Sequence, residues 1–192
     1  HRVFDLLNRH RRAMDEIYAA RAAAPWNVPL VEAYPILRAG GMMPREQHLP
    51  MMEEALATWR ARQNKAQDRI RVIVEGSFCE QPSVELLQTI EEAGCYVLND
   101  DLLLGQRWFT EPLPLDGDPL EALARHIMER CVPSAVHHPG PLGRGAALVQ
   151  KARAVRADGV AAVAEHLARQ VPRVGRDVIA KRIVQAGHGR AD

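Results

Sequence analysis

Hydrophobic positions near the start of the chain recur at helical spacing. They predict one amphipathic helix over residues 2–23, with these core-facing positions: Val3, Leu6, Leu7, His10, Met14, Ile17 and Tyr18. Pro25 ends that helix. Pro29 suits the first turn of a second helix, which the pair Gly40-Gly41 terminates with glycine as the C-cap.

A third helix is predicted to begin at Pro44. It directs four side chains towards the core, namely Met51, Met52, Leu56 and Trp59. A polar tract at residues 60–68 follows this helix. The chain is therefore expected to begin with a helical arm, residues 1–68, that precedes any strand.

Strand and helix patterns alternate from residue 70 onwards. Apolar, β-branched runs predict strands at 70–75, 95–99 and 158–163, and amphipathic runs predict helices at 82–93, 119–131 and 144–156. Strands that alternate with helices pair in parallel through right-handed crossovers, so the fold class is α/β. We predict a Rossmann-like parallel sheet with helices on both faces at residues 69–164, and a divergent helical or disordered tail at 165–192.

Composition narrows the class of protein. A chain of 192 residues with 47% hydrophobic residues can form one buried core. Its net charge of +1 gives no reason to expect binding to nucleic acid, and no apolar run approaches the roughly 20 residues that span a bilayer. Three cysteines without a close pair favour the reducing cytoplasm. Because the chain begins without Met, we expect a fragment.

The loop after the first predicted strand carries a thiol. The strand stops at Gly76, Cys79 follows, and Pro82 opens the next helix. A thiolate at a helix amino terminus has a lowered pKa and is a competent metal ligand or nucleophile. The alternative is a small buried side chain that packs at a strand end. Cys95 lies within the second predicted strand and is expected in the core.

A second polar cluster follows the next predicted strand. Asp100 and Asp101 either orient a substrate or transfer protons there, or they cap the loop that follows. Arg107 either clamps a phosphate or carboxylate, or lies on the surface. Trp108 and Phe109 beside it are typical of a cofactor mouth. Because both polar clusters follow strands, we expect them to share one cleft at the carboxyl edge of the sheet.

The sequence lacks the motifs of common cofactors. Residues 75–79 lack the second and third glycines of a dinucleotide fingerprint, and no Walker A sequence occurs. The three cysteines form no Cys-x-x-Cys motif, whereas an iron–sulfur cluster takes about four thiolates. Spacing alone therefore assigns no cofactor to the chain.

Several stretches nevertheless resemble one enzyme family. They are Gly76-Ser77-Phe78-Cys79-Glu80-Gln81-Pro82, the run from Ile90 to Asp101, Arg107-Trp108-Phe109, and upstream Pro25-Trp26-x-Val28-Pro29, Leu37-Arg38-Ala39-Gly40 and Pro44-x-Glu46-x-His48. From about residue 3 to Val160, the chain resembles the carboxyl-terminal part of a C subunit of ATP-dependent benzoyl-CoA reductases. These enzymes belong to the 2-hydroxyacyl-CoA dehydratase and benzoyl-CoA reductase superfamily.

The resemblance implies a subunit of an oxidoreductase. Family members hold a 4Fe-4S cluster near the acyl-CoA site and receive low-potential electrons from an ATP-hydrolysing activator pair, with ferredoxin as an indirect donor. The reductases use these electrons to dearomatise benzoyl-CoA in anaerobic aromatic degradation. The expected partners are therefore the other reductase subunits, the activator and benzoyl-CoA, with neither nucleic acid nor a membrane.

The candidate site residues lie in these stretches. They are Asp100 and Asp101 as catalytic residues, Glu80, Arg107, Trp108 and Phe109 as substrate-binding residues, and Cys79 as the metal candidate, which the family motif does not itself mark as a cluster ligand. The family's amino-terminal half is absent, and residues 161–167 stand where the family has a Phe-Cys-Asp-Pro segment. We therefore expect no cluster in this chain alone, and no activity without its missing half and partner subunits.

Two other functions fit the same residues. The chain is alternatively a subunit of a dehydratase that acts on 2-hydroxyacyl-CoA. The other alternative is a non-catalytic interaction module, in which the helical arm docks a partner and the sheet binds nothing. The sequence Phe78-Cys79-Glu80-Gln81-Pro82 favours the reductase by resemblance.

Overall fold

A computed structural model describes residues 2–76, 82–100, 112–114, 116–129 and 143–163. Six helices and three strands lie within these ranges. In chain order they are α1 (Arg2–Ala23), α2 (Leu30–Ala39), α3 (Arg45–Ala61), β1 (Ile70–Gly76), α4 (Val84–Glu92), β2 (Cys95–Asp100), α5 (Pro119–Glu129), α6 (Gly143–Ala154) and β3 (Gly159–Val163). None of the described helices is long and apolar enough to cross a membrane.

The three strands form one sheet in the order β2-β1-β3. Strand β1 pairs in parallel with both neighbours, which confirms the predicted α/β class. Helix α4 begins two residues later than predicted, because the Ser83 hydroxyl accepts a hydrogen bond from the Leu86 amide and so forms the N-cap.

The pairing of β1 with β2 contains one irregularity. Val72 pairs with Val97, but the next residue, Ile73, pairs with Asn99, so Leu98 is passed over. An extra residue of this kind bends its strand and changes the alternation of the side chains beyond it. As a result, Asp100 lies level with Val74 at the carboxyl edge of the sheet.

Both faces of β1 are covered. On one face, β1 shares a core cluster with α2, α4 and β2, formed by Leu30, Tyr34, Val72, Val74, Leu86, Leu87, Ile90, Cys95 and Val97. Side chains alternate along a strand, so Ile73 points to the opposite face, and it is fully buried there. On that face Arg71 donates to the carbonyls of Ala22 and Val155, at the ends of α1 and α6.

A second core cluster is built from helices alone. It joins α1, α2 and α3 with the loop between the first two, through Ala13, Ile17, Tyr18, Val28, Ala33, Leu37, Leu49, Met52, Leu56 and Trp59. Met52, Leu56 and Trp59 are buried as predicted, whereas Met51 is only half-buried. Helix α1 also packs against β2, and α2 against α4. The proposed division at residue 68 stays a prediction, and the tail at 165–192 lies outside the described residues.

Gly40 ends α2, but not in the left-handed conformation that a C-cap glycine usually adopts. Its φ and ψ are −62° and −18°, which are helical values open to any residue. A Cβ at this position would lie 2.6 Å from the His48 ring and 2.8 Å from the Arg45 guanidinium. The glycine is therefore needed for space and not for backbone freedom.

Candidate functional site

The strand order predicts a ligand-binding position beside β1. The chain passes from β1 to β2 in one direction and then returns across β1 to reach β3. Right-handed connections in opposite directions put their helices on opposite faces of the sheet. In open α/β sheets, ligands bind outside the carboxyl ends of the strands at such a switch point. Strand β1 ends at Gly76, so the segment that carries Cys79 follows this position in the sequence.

Asp100 is the predicted site residue that the structure describes. Its side chain is 2% exposed, although it lies at the carboxyl end of β2. The Tyr18 hydroxyl donates to this carboxylate and lies 3.0 Å from both of its oxygens. Tyr18 belongs to α1, 82 residues earlier in the chain. The carboxylate thus fixes the first helix to the carboxyl edge of the sheet.

Arg21 supplies the positive charge beside this carboxylate. Its side chain is fully buried, and its Nη1 atom lies 3.5 Å from Asp100 Oδ2. Its Nη2 atom donates to the Val97 carbonyl at 2.7 Å, and its guanidinium carbon lies 5.4 Å from the centre of the Tyr18 ring. A buried charge requires such compensation, since removing one partner would leave the other uncompensated in a medium of low polarity.

Two further groups fix the backbone of Asp100. Its amide donates to Asn99 Oδ1 at 2.7 Å, and its carbonyl accepts from Lys151 Nζ at 3.1 Å. Lys151 lies on α6, so this bond reaches Asp100 from a third element. Helices α1 and α6 therefore both hold the point where the chain leaves β2.

Tyr34 holds the neighbouring loop at the point where α4 begins. Its hydroxyl donates to the Pro82 carbonyl at 2.9 Å. The pKa of Tyr34 is raised to about 12, mainly by burial; the charge of Arg38 opposes this change and the negative charge of Asp100 contributes to it. The phenol consequently stays protonated and remains a donor at neutral pH.

The remaining predicted site residues lie outside the described residues. They are Cys79, Glu80, Asp101, Arg107, Trp108 and Phe109. Their roles and their expected cleft with Asp100 stay predictions. The structure places Asp100 where the sequence predicted it, at the carboxyl end of a parallel strand.

The described residues do not fit an iron–sulfur cluster. Among them, no group of three His, Cys, Asp or Glu side chains lies close enough to hold a metal ion. Cys95 is buried within β2, and burial raises the pKa of its thiol. A buried thiol with a raised pKa is a poor ligand, because metals bind the thiolate. Cys95 is therefore a core residue, as predicted.

A second buried polar cluster lies within the helical core. His48 Nε2 donates to the Ile36 carbonyl at 2.7 Å, so its Nδ1 atom accepts the 2.6 Å hydrogen bond from His10 Nε2. Arg45 Nη1 lies 3.3 Å from His10 Nε2 and donates to the Gly40 carbonyl at 2.7 Å. Burial, followed by the charge of Arg45, lowers the pKa of His10 to about 3. Burial also lowers the pKa of His48, so the pair is neutral.

The sequence did not reveal that several of these residues form buried polar contacts. Tyr18 and His10 were predicted only as core-facing positions of α1. Arg21 lies three residues beyond Tyr18, so the two share a helix face. A charged residue on the core-facing side of an amphipathic helix is the one signal that would have marked Arg21, since arginine is seldom buried without a partner.

Comparison with known proteins identifies relatives of this chain. The family model for the 2-hydroxyglutaryl-CoA dehydratase D-component matches residues 1–170, ten residues beyond Val160, where the resemblance in the sequence ends. The C subunit of benzoyl-CoA reductase from Thauera aromatica is 32% identical over 154 residues, which cover 80% of this chain and 40% of that protein. The chain thus spans well under half the length of this relative. It belongs to the 2-hydroxyglutaryl-CoA dehydratase D-component family.

Proposed function

We propose that this chain is part of a C-type subunit of a benzoyl-CoA reductase. The observation that carries the proposal is the 32% identity to the Thauera protein over 80% of the chain. The complete enzyme would dearomatise benzoyl-CoA in the cytoplasm. Ferredoxin would reduce an ATP-hydrolysing partner, and this partner would deliver electrons to the enzyme at low potential. Other reductase subunits would complete the assembly. The chain alone would be inactive.

The carboxyl edge of the sheet is the proposed contribution of this chain to the acyl-CoA site. Tyr18 and Arg21 hold Asp100, and Lys151 holds the carbonyl at the end of β2. We propose that Asp100 is a positioning residue, which directs the following segment that carries Asp101, Arg107, Trp108 and Phe109. Tyr34 would do the same for the segment that carries Cys79 and Glu80, through its bond to Pro82.

We propose that this chain alone does not hold the 4Fe-4S cluster of the complete enzyme, because a full set of ligands would require residues outside the chain. The cluster would supply single electrons at low potential. Anaerobic incubation of the 192-residue chain with iron and sulfide, followed by iron analysis and EPR, tests this proposal. The expected result is well under one cluster per chain. A stoichiometric, EPR-active cluster would show that this chain holds the ligands itself.

A segment replacement tests the proposed function directly. The matched part of the Thauera protein is replaced by the corresponding residues of this chain, and the hybrid is assembled anaerobically with its partner subunits. We expect ATP-dependent reduction of benzoyl-CoA to persist in the hybrid. An otherwise identical hybrid with Asp100→Asn should assemble less well or lose activity, because the end of β2 is no longer held.

A hybrid built in the same way on a dehydratase subunit addresses the second candidate function, a subunit of a 2-hydroxyacyl-CoA dehydratase. The name of the matching family favours this candidate. Assembled in the same way with the subunits of a dehydratase, the chain would then support dehydration of a 2-hydroxyacyl-CoA but not benzoyl-CoA reduction. A hybrid that assembles in both settings and supports neither reaction would indicate the interaction module.

A further inference from the structure

A cleft of about 420 Å³ lies at the amino edge of the sheet, opposite the carboxyl edge described above. Arg69 precedes the first residue of β1, Tyr96 is the second residue of β2, and Glu91 lies in the last turn of α4. Trp26, from the loop between α1 and α2, and Lys65, from the segment after α3, also line it. This volume falls within the range of sites for small molecules.

One part of the cleft is aromatic. The ring centres of Trp26 and Tyr96 lie 6.2 Å apart, and their planes are tilted by 58°. Pro25 and Pro29 lie on either side of this indole in sequence and also line the cleft. The indole and the two proline rings give the cleft an apolar part against which a flat ring can pack.

The polar part of the cleft offers hydrogen-bond donors. The Tyr96 hydroxyl accepts from the Gln67 amide, and within the described part of the chain its own proton meets no acceptor. Tyr96 is only 6% exposed, so this donor is already removed from most of the solvent. The indole N–H of Trp26 likewise has no acceptor among the described residues.

Positive charge lies beside these donors. Arg69 stacks on the Tyr96 ring at 5.2 Å and donates through Nε and Nη1, whereas its Nη2 atom has no acceptor in the described ranges. Lys65 forms no ion pair with any described residue. The carboxylate of Glu91 accepts from the amides of Leu30 and Val31 at the start of α2. Its charge is therefore offset by a helix amino terminus.

We propose that this cleft binds a small organic anion that carries a flat aromatic ring. The ring would pack against Trp26, and the anionic oxygens would accept from the Tyr96 hydroxyl, Arg69 and Lys65. Charge-assisted hydrogen bonds to an oxyanion are stronger than those between neutral groups. The proposal concerns the edge of the sheet opposite the acyl-CoA site, and it does not rest on the proposed function.

Binding of adenosine 5′-monophosphate to the 192-residue chain tests the proposal. This probe combines a flat ring with an anionic oxygen group, whereas adenosine and inorganic phosphate each carry one of the two. Titrations of ¹⁵N-labelled protein would follow the indole N–H resonances. The expected result is a saturable shift of the Trp26 resonance with a Kd near or below about 1 mM, and binding at least about tenfold weaker for each single-part probe.

Matched variants locate the binding. Lys65→Gln should weaken binding of adenosine monophosphate about threefold to fivefold, as expected for one exposed charge. Tyr96→Phe, which removes only the hydroxyl, should weaken it up to about tenfold. Arg153→Gln removes one positive charge from the exposed face of α6, outside the cleft, and should leave the affinity unchanged.

Three results would overturn the proposal. One is the lack of any saturable shift with adenosine monophosphate. Another is equal binding of adenosine and its monophosphate, which would show that the cleft does not recognise the anion. The third is equal weakening by Lys65→Gln and Arg153→Gln, which would indicate general attraction to the protein surface.

Discussion

Two buried polar clusters include residues of helix α1, and they satisfy their buried polar groups in different ways. Near the start of α1, His10 and His48 join helices through one hydrogen bond between neutral rings and a second from His48 to the Ile36 carbonyl. Near its end, Tyr18 and Arg21 hold the charged carboxylate of Asp100 at the sheet. The first cluster lies wholly within the helical core, and the second lies at the edge that carries the candidate site.

The two clusters differ in the free energy of unfolding that is lost when one member is removed. A neutral pair loses a hydrogen bond and leaves a polar group unsatisfied, whereas an ion pair leaves a whole charge in a medium of low polarity. The charged cluster is therefore the more sensitive of the two. It also makes the carboxyl edge of the sheet depend on α1, far away in the sequence.

The largest effect is expected for Asp100→Asn. The variant keeps the shape of the side chain but leaves the fully buried Arg21 without its counter-ion. We expect a loss of about 3 kcal/mol in the free energy of unfolding, measured by urea denaturation. Glu16→Gln breaks the exposed pair with Arg60 and serves as the control, with an expected loss below about 1 kcal/mol.

A double variant separates charge from packing in this cluster. Combining Asp100→Asn with Arg21→Met should cost less than Asp100→Asn alone, because no buried charge is left uncompensated. Equal or greater destabilisation of the double variant would show that Asp100 acts through packing and not through charge.

Gly40→Ala should destabilise the protein by about 2 kcal/mol, since the new methyl group would press on the His48 ring and the Arg45 guanidinium. Thermal or urea unfolding measures this loss. Gly159→Ala is the matched control, because a Cβ there meets no atom within 4 Å. Similar losses for the two variants would contradict the role of Gly40 in admitting the histidine ring.

The neutral cluster should make stability depend on pH. The unfolded chain binds a proton at His10 below its usual pKa of 6.5, but the folded chain does so only near pH 3. Stability from this group is therefore complete above pH 6.5 and declines as the pH falls from 6.5 towards 3. Between pH 7 and pH 5.5, we expect a loss of about 1.2 kcal/mol from His10.

His10→Gln provides the comparison for this dependence, because glutamine can donate to His48 but does not titrate in this range. Its stability should change less with pH than that of the parent chain, whereas other titrating groups are common to both. Parallel pH profiles of the two proteins would show that His10 titrates normally in the folded state.

The smallest effect is expected for Lys151→Met. It removes the donor to the Asp100 carbonyl but leaves the carboxylate cluster intact. We expect a loss of up to about 1 kcal/mol, measured by urea unfolding. Arg153→Met, an exposed change two residues further along α6, should be close to neutral. A Lys151 effect as large as that of Asp100→Asn would mean that the bond to the Asp100 carbonyl stabilises the end of β2 as much as the buried ion pair does.

Periodicity predicted the elements of this fold because it reports burial along one element at a time. The predicted helix at 2–23 and the predicted strand at 95–99 match the structure in their bounds to within one residue. The prediction was wrong for Val3, which is 65% exposed in the first turn of α1. The same pattern cannot show which elements meet, so it placed Tyr18 in the core without its bond to Asp100. It also could not show that β2 passes over Leu98.

The candidate site was predictable only in part, for the same reason. Asp100 follows from the rule that ligands bind at carboxyl ends of parallel strands. Its partners follow from packing between α1 and the sheet, which depends on tertiary contacts. The role of Gly40 was missed because glycine at a helix end usually provides a left-handed turn, whereas here it provides space.

The residue passed over in β2 has a consequence for how this family can diversify. Because Leu98 is passed over in the pairing, the alternation of side chains between the two faces of β2 is shifted by one residue after it. Loss or gain of a single codon here would turn the segment that follows, including Asp100, towards the other side of the sheet. The first half of the strand, with its core residues, would stay as it is. The chemistry of this edge can therefore change by one codon while the hydrophobic core keeps its sequence.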